Sequence, residues 1–367
     1  MSAAPPRLLT LVAELTYACR LRCAYCSNPT QVSERRPAMS TADWLSVIDD
    51  AASLGALQVH FTGGEPLLFR DLEMLVRRAR ERQLYTNLIT SGVPLERRRL
   101  EGLVEAGIEH VQVSLHAATP AGNVRIAGID TSAQKWRVAQ WVKELGLPLT
   151  LNIVLHRENI GDLERLIELA EAMEPHRIEI ANAQYLGWAL VNREQLLPSA
   201  TQMDEARRVA QVAQARLRGK TDLLMVLPDY YANRPRACMQ GLATSYLVVT
   251  PDGLALPCHA SRELPGLNFD DVRGTRLTEL WSSSRALQRF RDVSALPDAC
   301  RTCSERDKDH GGCRCQAFAL TGDVAGADPA CSLTPAHSLV REARRQASLV
   351  SERSPFTLRH APRPSLG

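Results

Sequence analysis

Between residues 8 and 181 a short apolar run repeatedly gives way to an amphipathic helical stretch. The apolar runs are 8–17, 57–61, 84–90, 110–115, 148–155 and 177–181. Helical patterns occupy 40–54, 70–83, 95–106, 133–145, 159–173 and 201–217. Ser40, with an acid at Asp43, is a capping pair for the first of them. Strands that recur only after a helix-length crossover predict a parallel sheet covered by helices, since a tight turn cannot join parallel neighbours. The expected fold class is therefore α/β, a partial (β/α)6 barrel. A doubly wound open sheet shares the periodicity and stays open as the alternative.

In either architecture the ligand site forms beyond the carboxyl ends of the strands. Cys19, Cys23 and Cys26 follow the first run, Gly63-Gly64-Glu65-Pro66 the second, and Ser91-Gly92 the third. Ser114 and His116 end the fourth, Asn152 lies in the fifth, and Asn182, Gln184 and Tyr185 follow the sixth. Three cysteines spaced C-x3-C-x2-C can converge, and thiolate is the ligand that iron–sulfur clusters and zinc select. With only three protein ligands, a four-iron cluster keeps one iron free for another molecule. Zinc completed by a distant ligand, or a packed stripe of small thiols, would use the same residues. Paired glycines let backbone approach a ligand closely, whereas a plain Gly-Gly turn would leave Glu65 exposed. Ser114 and Asn152 suit a polar ligand or simple strand-end satisfaction. A lone His116 beside a sheet is most often structural.

After a connecting segment at 218–235 the composition changes. Cys238, Cys258, Cys300, Cys303, Cys313, Cys315 and Cys331 crowd a region, 236–345, poor in long helical patterns. Pro251-Asp252-Gly253 between two apolar runs predicts a hairpin. Asp309 sits in a charged run, 305–309, of the kind usually solvated. The ten cysteines lack any preceding secretory pattern, so they read as metal or redox ligands in a reducing cytoplasm. A net charge of +3 argues for neither nucleic acid nor membrane, and no run approaches the ~18 apolar residues of a membrane span. The segment 351–367, rich in Pro, Ser and Arg, is expected to be disordered.

The triad, with Tyr25 before its last cysteine, resembles the radical S-adenosylmethionine (SAM) enzymes. The C-terminal cysteines resemble the SPASM extension of the peptide-modifying members. Within that group, Asp309 where a third cysteine is usual, the Cys313/Cys315 pair, Gln184–Arg193 and Gly311–Gly322 are similar to the peptide cyclases that open pyrroloquinoline quinone (PQQ) biosynthesis. Leu186, His310 and Ser114–Ala117 depart from that group's pattern.

The resemblance implies a core barrel over 8–217 and a C-terminal SPASM domain carrying auxiliary clusters. Cys19, Cys23 and Cys26 would hold a [4Fe-4S] cluster whose open iron chelates SAM and cleaves it to a 5′-deoxyadenosyl radical. Gly63, Gly64, Glu65 and Pro66 would meet the SAM amino group, and Ser114 and Asn152 its ribose or carboxylate. Cys238, Cys258, Cys313 and Cys315 would hold a first auxiliary cluster, [2Fe-2S] or [4Fe-4S]. Cys300, Cys303, Asp309 and Cys331 would hold a second, [4Fe-4S]. The implied oxidoreductase reaction is a carbon–carbon crosslink from a Glu γ-carbon to a Tyr ring carbon of the precursor peptide PqqA. The implied partners are the chaperone PqqD and an electron donor such as flavodoxin. Another SPASM peptide or sulfatase maturase would share these clusters. A zinc-binding interaction module fused to an α/β domain is the reading from a different class.

Overall fold

A computed structural model describes residues 5–30, 37–350 and 354–359. Six parallel strands follow one another across the sheet. They are β1 (Thr10–Thr16), β2 (Gln58–Gly63), β3 (Tyr85–Thr90), β4 (His110–Leu115), β5 (Leu149–Leu155) and β6 (Arg177–Asn182). Their spatial order is their chain order, with no point at which the order reverses. A doubly wound sheet needs such a reversal. The sheet is therefore singly wound, as in a partial barrel.

The crossovers are α1 (Thr41–Ser53), α2 (Leu72–Glu81), α3 (Arg97–Ala106), α4 (Pro120–Ala127), α5 (Ser132–Glu144) and α6 (Leu163–Ala172). Ser40 and Asp43 form the expected reciprocal cap on α1. One strand face is apolar: Val59, Phe61, Val111, Val113, Leu151, Ile153, Ile178 and Ile180 are buried with helix residues such as Trp44, Ile48 and Leu75 in a continuous core. The alternate residues, His60, Gln112, Ser114, Asn152 and Glu179, are polar and only partly buried. An apolar outer face and a polar inner face are the signature of a sheet curled around a lumen.

Several elements escaped the sequence pattern, α4 and a seventh strand among them. Helix α4 is a two-turn piece capped by Thr119 and ended at Gly128, whose φ of 86° is left-handed. Beyond α7 (Gly187–Val191), α8 (Arg193–Leu196) and α9 (Ala200–Leu217), the expected linker contains β7 (Asp222–Met225), which pairs parallel to β6 at the sheet edge. Four residues with one buried leucine, Leu223, carry too little periodicity to be seen.

The C-terminal region continues the sheet. The hairpin of β8 (Tyr246–Val249) and β9 (Ala255–Leu256) forms around Gly253, and β8 pairs parallel to β1. Asp50 of α1, almost wholly buried, accepts hydrogen bonds from Arg276 and from the Leu277 amide, tying the region to the barrel. Within the expected disordered tail, 354–359 is packed, as described below; 351–353 and 360–367 lie outside the described residues. Among the described residues no helix is long and apolar enough to cross a membrane.

Candidate cluster-binding sites

The loop bearing Cys19, Cys23 and Cys26 leaves β1 at its carboxyl end and is held by backbone from three directions. Arg22 N and Ala24 N donate to Ala127 O and Ile126 O at the end of α4, each at 2.9 Å. Glu65 N donates to Ala18 O at 2.8 Å, and Ala189 N of α7 donates to Cys26 O at 3.1 Å. The Asn192 side chain donates to Ala24 O at 2.9 Å. Burial pushes the Cys19 thiol up to about 11 and the Cys23 thiol higher still, with the neighbouring thiols adding to the rise. Three partly buried thiols side by side, two of which resist ionising, are a costly arrangement unless a cation takes up their charge. The donor set therefore fits an iron–sulfur cluster.

The two glycines are required by the loop itself. A Cβ on Gly63 would lie 2.4 Å from Thr16 O, and one on Gly64 would lie 2.3 Å from Ala18 O. Glu65 is fully buried, so the exposed Gly-Gly-Glu turn is not what forms. Its carboxylate accepts from Thr90 Oγ1 at 2.6 Å, Ser91 N at 2.9 Å, Leu67 N at 3.2 Å and the Ser91 hydroxyl. The side chain thus fastens the end of β2 to the end of β3, and any ligand contact at Glu65 falls to its backbone. Pro66 opens the short 3₁₀ turn that follows.

Ser114 and Asn152 are register partners on β4 and β5, both half-buried on the lumen face. Lys135 of α5, 1% exposed, donates from Nζ to Ser114 O. Burial lowers its pKa to about 8, while Cys23 and Glu65 oppose that fall. Tyr25 OH and His116 Nδ1 share a 2.5 Å hydrogen bond, and Tyr25 also packs on His156. Burial holds both imidazoles neutral, His156 at about 3. His116 therefore supports the loop from below as packed structure.

In the C-terminal region Cys238, Cys258, Cys313 and Cys315 interact with one another side chain to side chain, Cys258 and Cys315 being buried and the other two partly so. Cys300, Cys303, Asp309 and Cys331 line a second cavity together with Pro235 and Asp328. Asp309 is 9% exposed, whereas the Asp307 side chain is 84% exposed, so the charged run splits into one inward and one outward carboxylate. Among the described residues no three His, Cys, Asp or Glu side chains close on a point suited to one metal ion. A cluster is a larger object than zinc, and its ligands surround it.

Sequence reasoning missed Lys135, Asn192 and Arg359. Lys135 was visible only as an ordinary helical lysine. Arg359, 5% exposed, lies 3.7 Å through Nη1 from Cys26 Sγ and donates through Nη2 to Tyr17 O.

Residues 13–170 match the radical SAM superfamily and residues 238–304 match the iron–sulfur cluster-binding SPASM domain. The chain is 48% identical to a PqqA peptide cyclase of Granulibacter bethesdensis, over 92% of this chain and 90% of that protein. It is 45% identical to one of Gluconobacter oxydans, over 92% of this chain and 94% of that protein. Among solved structures it is similar to Streptococcus suis SuiB bound to S-adenosylmethionine, with TM-score 0.73 and 17% identity over 89% of this chain and 77% of SuiB. It is also similar to anSMEcpe with bound AdoMet, with TM-score 0.65 and 15% identity over 94% and 97% of the two chains. At those identities the likeness is one of fold.

Proposed function

This chain belongs to the PqqA peptide cyclase family of the radical SAM superfamily, and on that premise we propose that it crosslinks a glutamate γ-carbon to a tyrosine ring carbon of the peptide PqqA. The observation that carries the reading beyond a general maturase is Asp309, buried in one cavity with Cys300, Cys303 and Cys331.

In this reading Cys19, Cys23 and Cys26 hold the SAM-binding [4Fe-4S] cluster. Cys238, Cys258, Cys313 and Cys315 hold one auxiliary cluster, and Cys300, Cys303, Asp309 and Cys331 the other. When bound, SAM and its cluster supply a hydrogen-abstracting carbon radical, and the auxiliary clusters supply an electron sink. The chain's own work is placement. Backbone of Gly63–Pro66 meets the SAM amino group, Ser114 and Asn152 face the lumen as its polar contacts, and Lys135 keeps a cation beside them. The Glu65 tie holds the ends of β2 and β3 in register with the cysteine loop. Such positioning selects one C–H bond for a reagent that would attack any. PqqD presents the peptide, a flavodoxin-type donor supplies the electron, and the cytoplasm is the setting.

The crosslink removes two hydrogens and leaves the backbone intact. Anaerobic protein given SAM, reductant, PqqD and PqqA should yield peptide lighter by two hydrogens. Deuterium placed at the glutamate γ-carbon should appear in 5′-deoxyadenosine. A thioether product, or deuterium transferred only from another residue, would place the chain among other SPASM maturases.

A further inference from the structure

The tail segment 354–359 ends against the cysteine loop and is bolted there. Asn192 donates to Thr357 O and accepts from Thr357 N, each at 2.9 Å. The same Asn192 amide donates to Ala24 O inside the loop, so one side chain joins loop and tail. Phe356 packs under the Arg125 guanidinium, 4.7 Å from ring centre, and Arg125 also donates to Ser354 O at 3.1 Å. These contacts deliver Arg359 to Tyr17 O and the Cys26 sulfur.

A guanidinium this buried is costly unless a negative group balances it. Among the described residues no carboxylate forms an ion pair with Arg359; its named partners are a neutral carbonyl and a cysteine sulfur. The balancing charge is that of the thiolates of the cluster site.

We propose that Arg359 is a positioning residue of the SAM-binding cluster, pinning the loop through Tyr17 and hydrogen-bonding the Cys26 sulfur so that the cluster is easier to reduce. The inference rests on the assignment of Cys19, Cys23 and Cys26 as cluster ligands. A donor and a positive charge beside a cluster sulfur stabilise the reduced, more negative state. Such devices set potential without touching the reaction, and a charge-assisted hydrogen bond is worth roughly tenfold in the equilibrium.

The test is a redox titration followed by electron paramagnetic resonance on the anaerobic full chain. The SAM cluster is identified as the signal that SAM perturbs. In Arg359→Gln the ratio of reduced to oxidised SAM cluster at fixed potential should fall about tenfold, a shift of about 59 mV for a one-electron couple. Arg359→Lys, which keeps the charge, should stay near wild type, and the auxiliary signals should not move in either variant. An unshifted potential in a fully loaded Arg359→Gln protein overturns the proposal. If Arg359→Gln loses iron from the triad, retention of iron and potential in Arg359→Lys supports the proposal, and equal loss in both overturns it. A wild-type protein with no SAM-perturbed signal refutes the ligand assignment itself, a distinct failure.

Discussion

Replacing Gly64 by alanine isolates how tightly the end of β2 is fitted to the cysteine loop. Gly64 has no left-handed backbone torsion, so the change adds one methyl group and no backbone strain. That methyl would sit 2.3 Å from Ala18 O and 2.6 Å from Tyr17 O, both backbone atoms that cannot rotate aside. Ordinary contact begins at 3.4 Å, so the loop must retreat by about 1 Å. It would take Cys19 with it and stretch the 2.8 Å bond from Glu65 N to Ala18 O. A displacement of about 1 Å in a positioned reacting group costs roughly 100-fold in rate. The assay is 5′-deoxyadenosine formation from SAM under reduction, normalised to iron per chain. Gly102→Ala serves as control: a Cβ there meets nothing within 4 Å, and the residue lies inside α3. That variant should keep the wild-type rate and gain about 0.5–1 kcal/mol of stability. Gly64→Ala protein with full iron and a rate within about twofold of wild type would show that the loop tolerates the shift and refute the reasoning.

Substituting Cys19, Cys23 and Cys26 together by alanine should abolish SAM cleavage while iron and sulfide analysis still finds the C-terminal clusters; residual 5′-deoxyadenosine formation would contradict the assignment. Asp309→Ala should change the spectrum of one auxiliary cluster, and Asp307→Ala, altering an exposed carboxylate, should not. Equal and negligible effects from the pair would make 305–309 a solvated charge run after all.

What could be read from the chain was whatever local periodicity or fixed spacing encodes. The β1–β6 runs and the crossover helices other than α4 carry their own apolar pattern, and the triad carries its own spacing. Asp309 was found by counting from Cys303, but its inward direction was not. The helical turn Arg306–Asp309 supplies it: residues two apart on a helix point to nearly opposite sides, so Asp307 faces out where Asp309 faces in. The glycines were singled out for closeness to a ligand, and their nearest protein neighbours are carbonyls at the end of β1 and the start of the cysteine loop. The burial of Glu65 was not legible because its partners, Thr90 and Ser91, lie at the end of another strand. Asn192 and Thr357 are 165 residues apart, and Arg359 and Cys26 are 333 apart. Contacts of that range leave no local signal in one chain, and a Pro- and Arg-rich tail has the composition of disorder whether or not it finds a partner.

The pairing of β1 with β8 bears on how the iron sites are held relative to one another. Strand β1 ends in the loop of Cys19, Cys23 and Cys26, and its other neighbour, β8, leads through the hairpin into Cys258. Between them Glu14, buried on β1 and pushed up by that burial, faces His259, which lies 3.9 Å from the Cys258 sulfur. Burial alone would lower the His259 pKa, yet Cys258 and Glu14 raise it to about 9. Tyr17, at the start of the cysteine loop, donates to Glu14 at 3.2 Å. Tyr17, Glu14 and His259 thus place buried polar groups between the cysteine loop and Cys258. A detachable zinc module would be joined by a mobile linker and would leave the barrel's first strand as a finished edge. Here, removing the C-terminal region would strip β1 of β8 and uncover Leu11 and Ala13, both fully buried. The spacing between the cysteine loop and the Cys258 region is therefore set by sheet geometry. That is what a two-hydrogen oxidation of a single bound peptide requires.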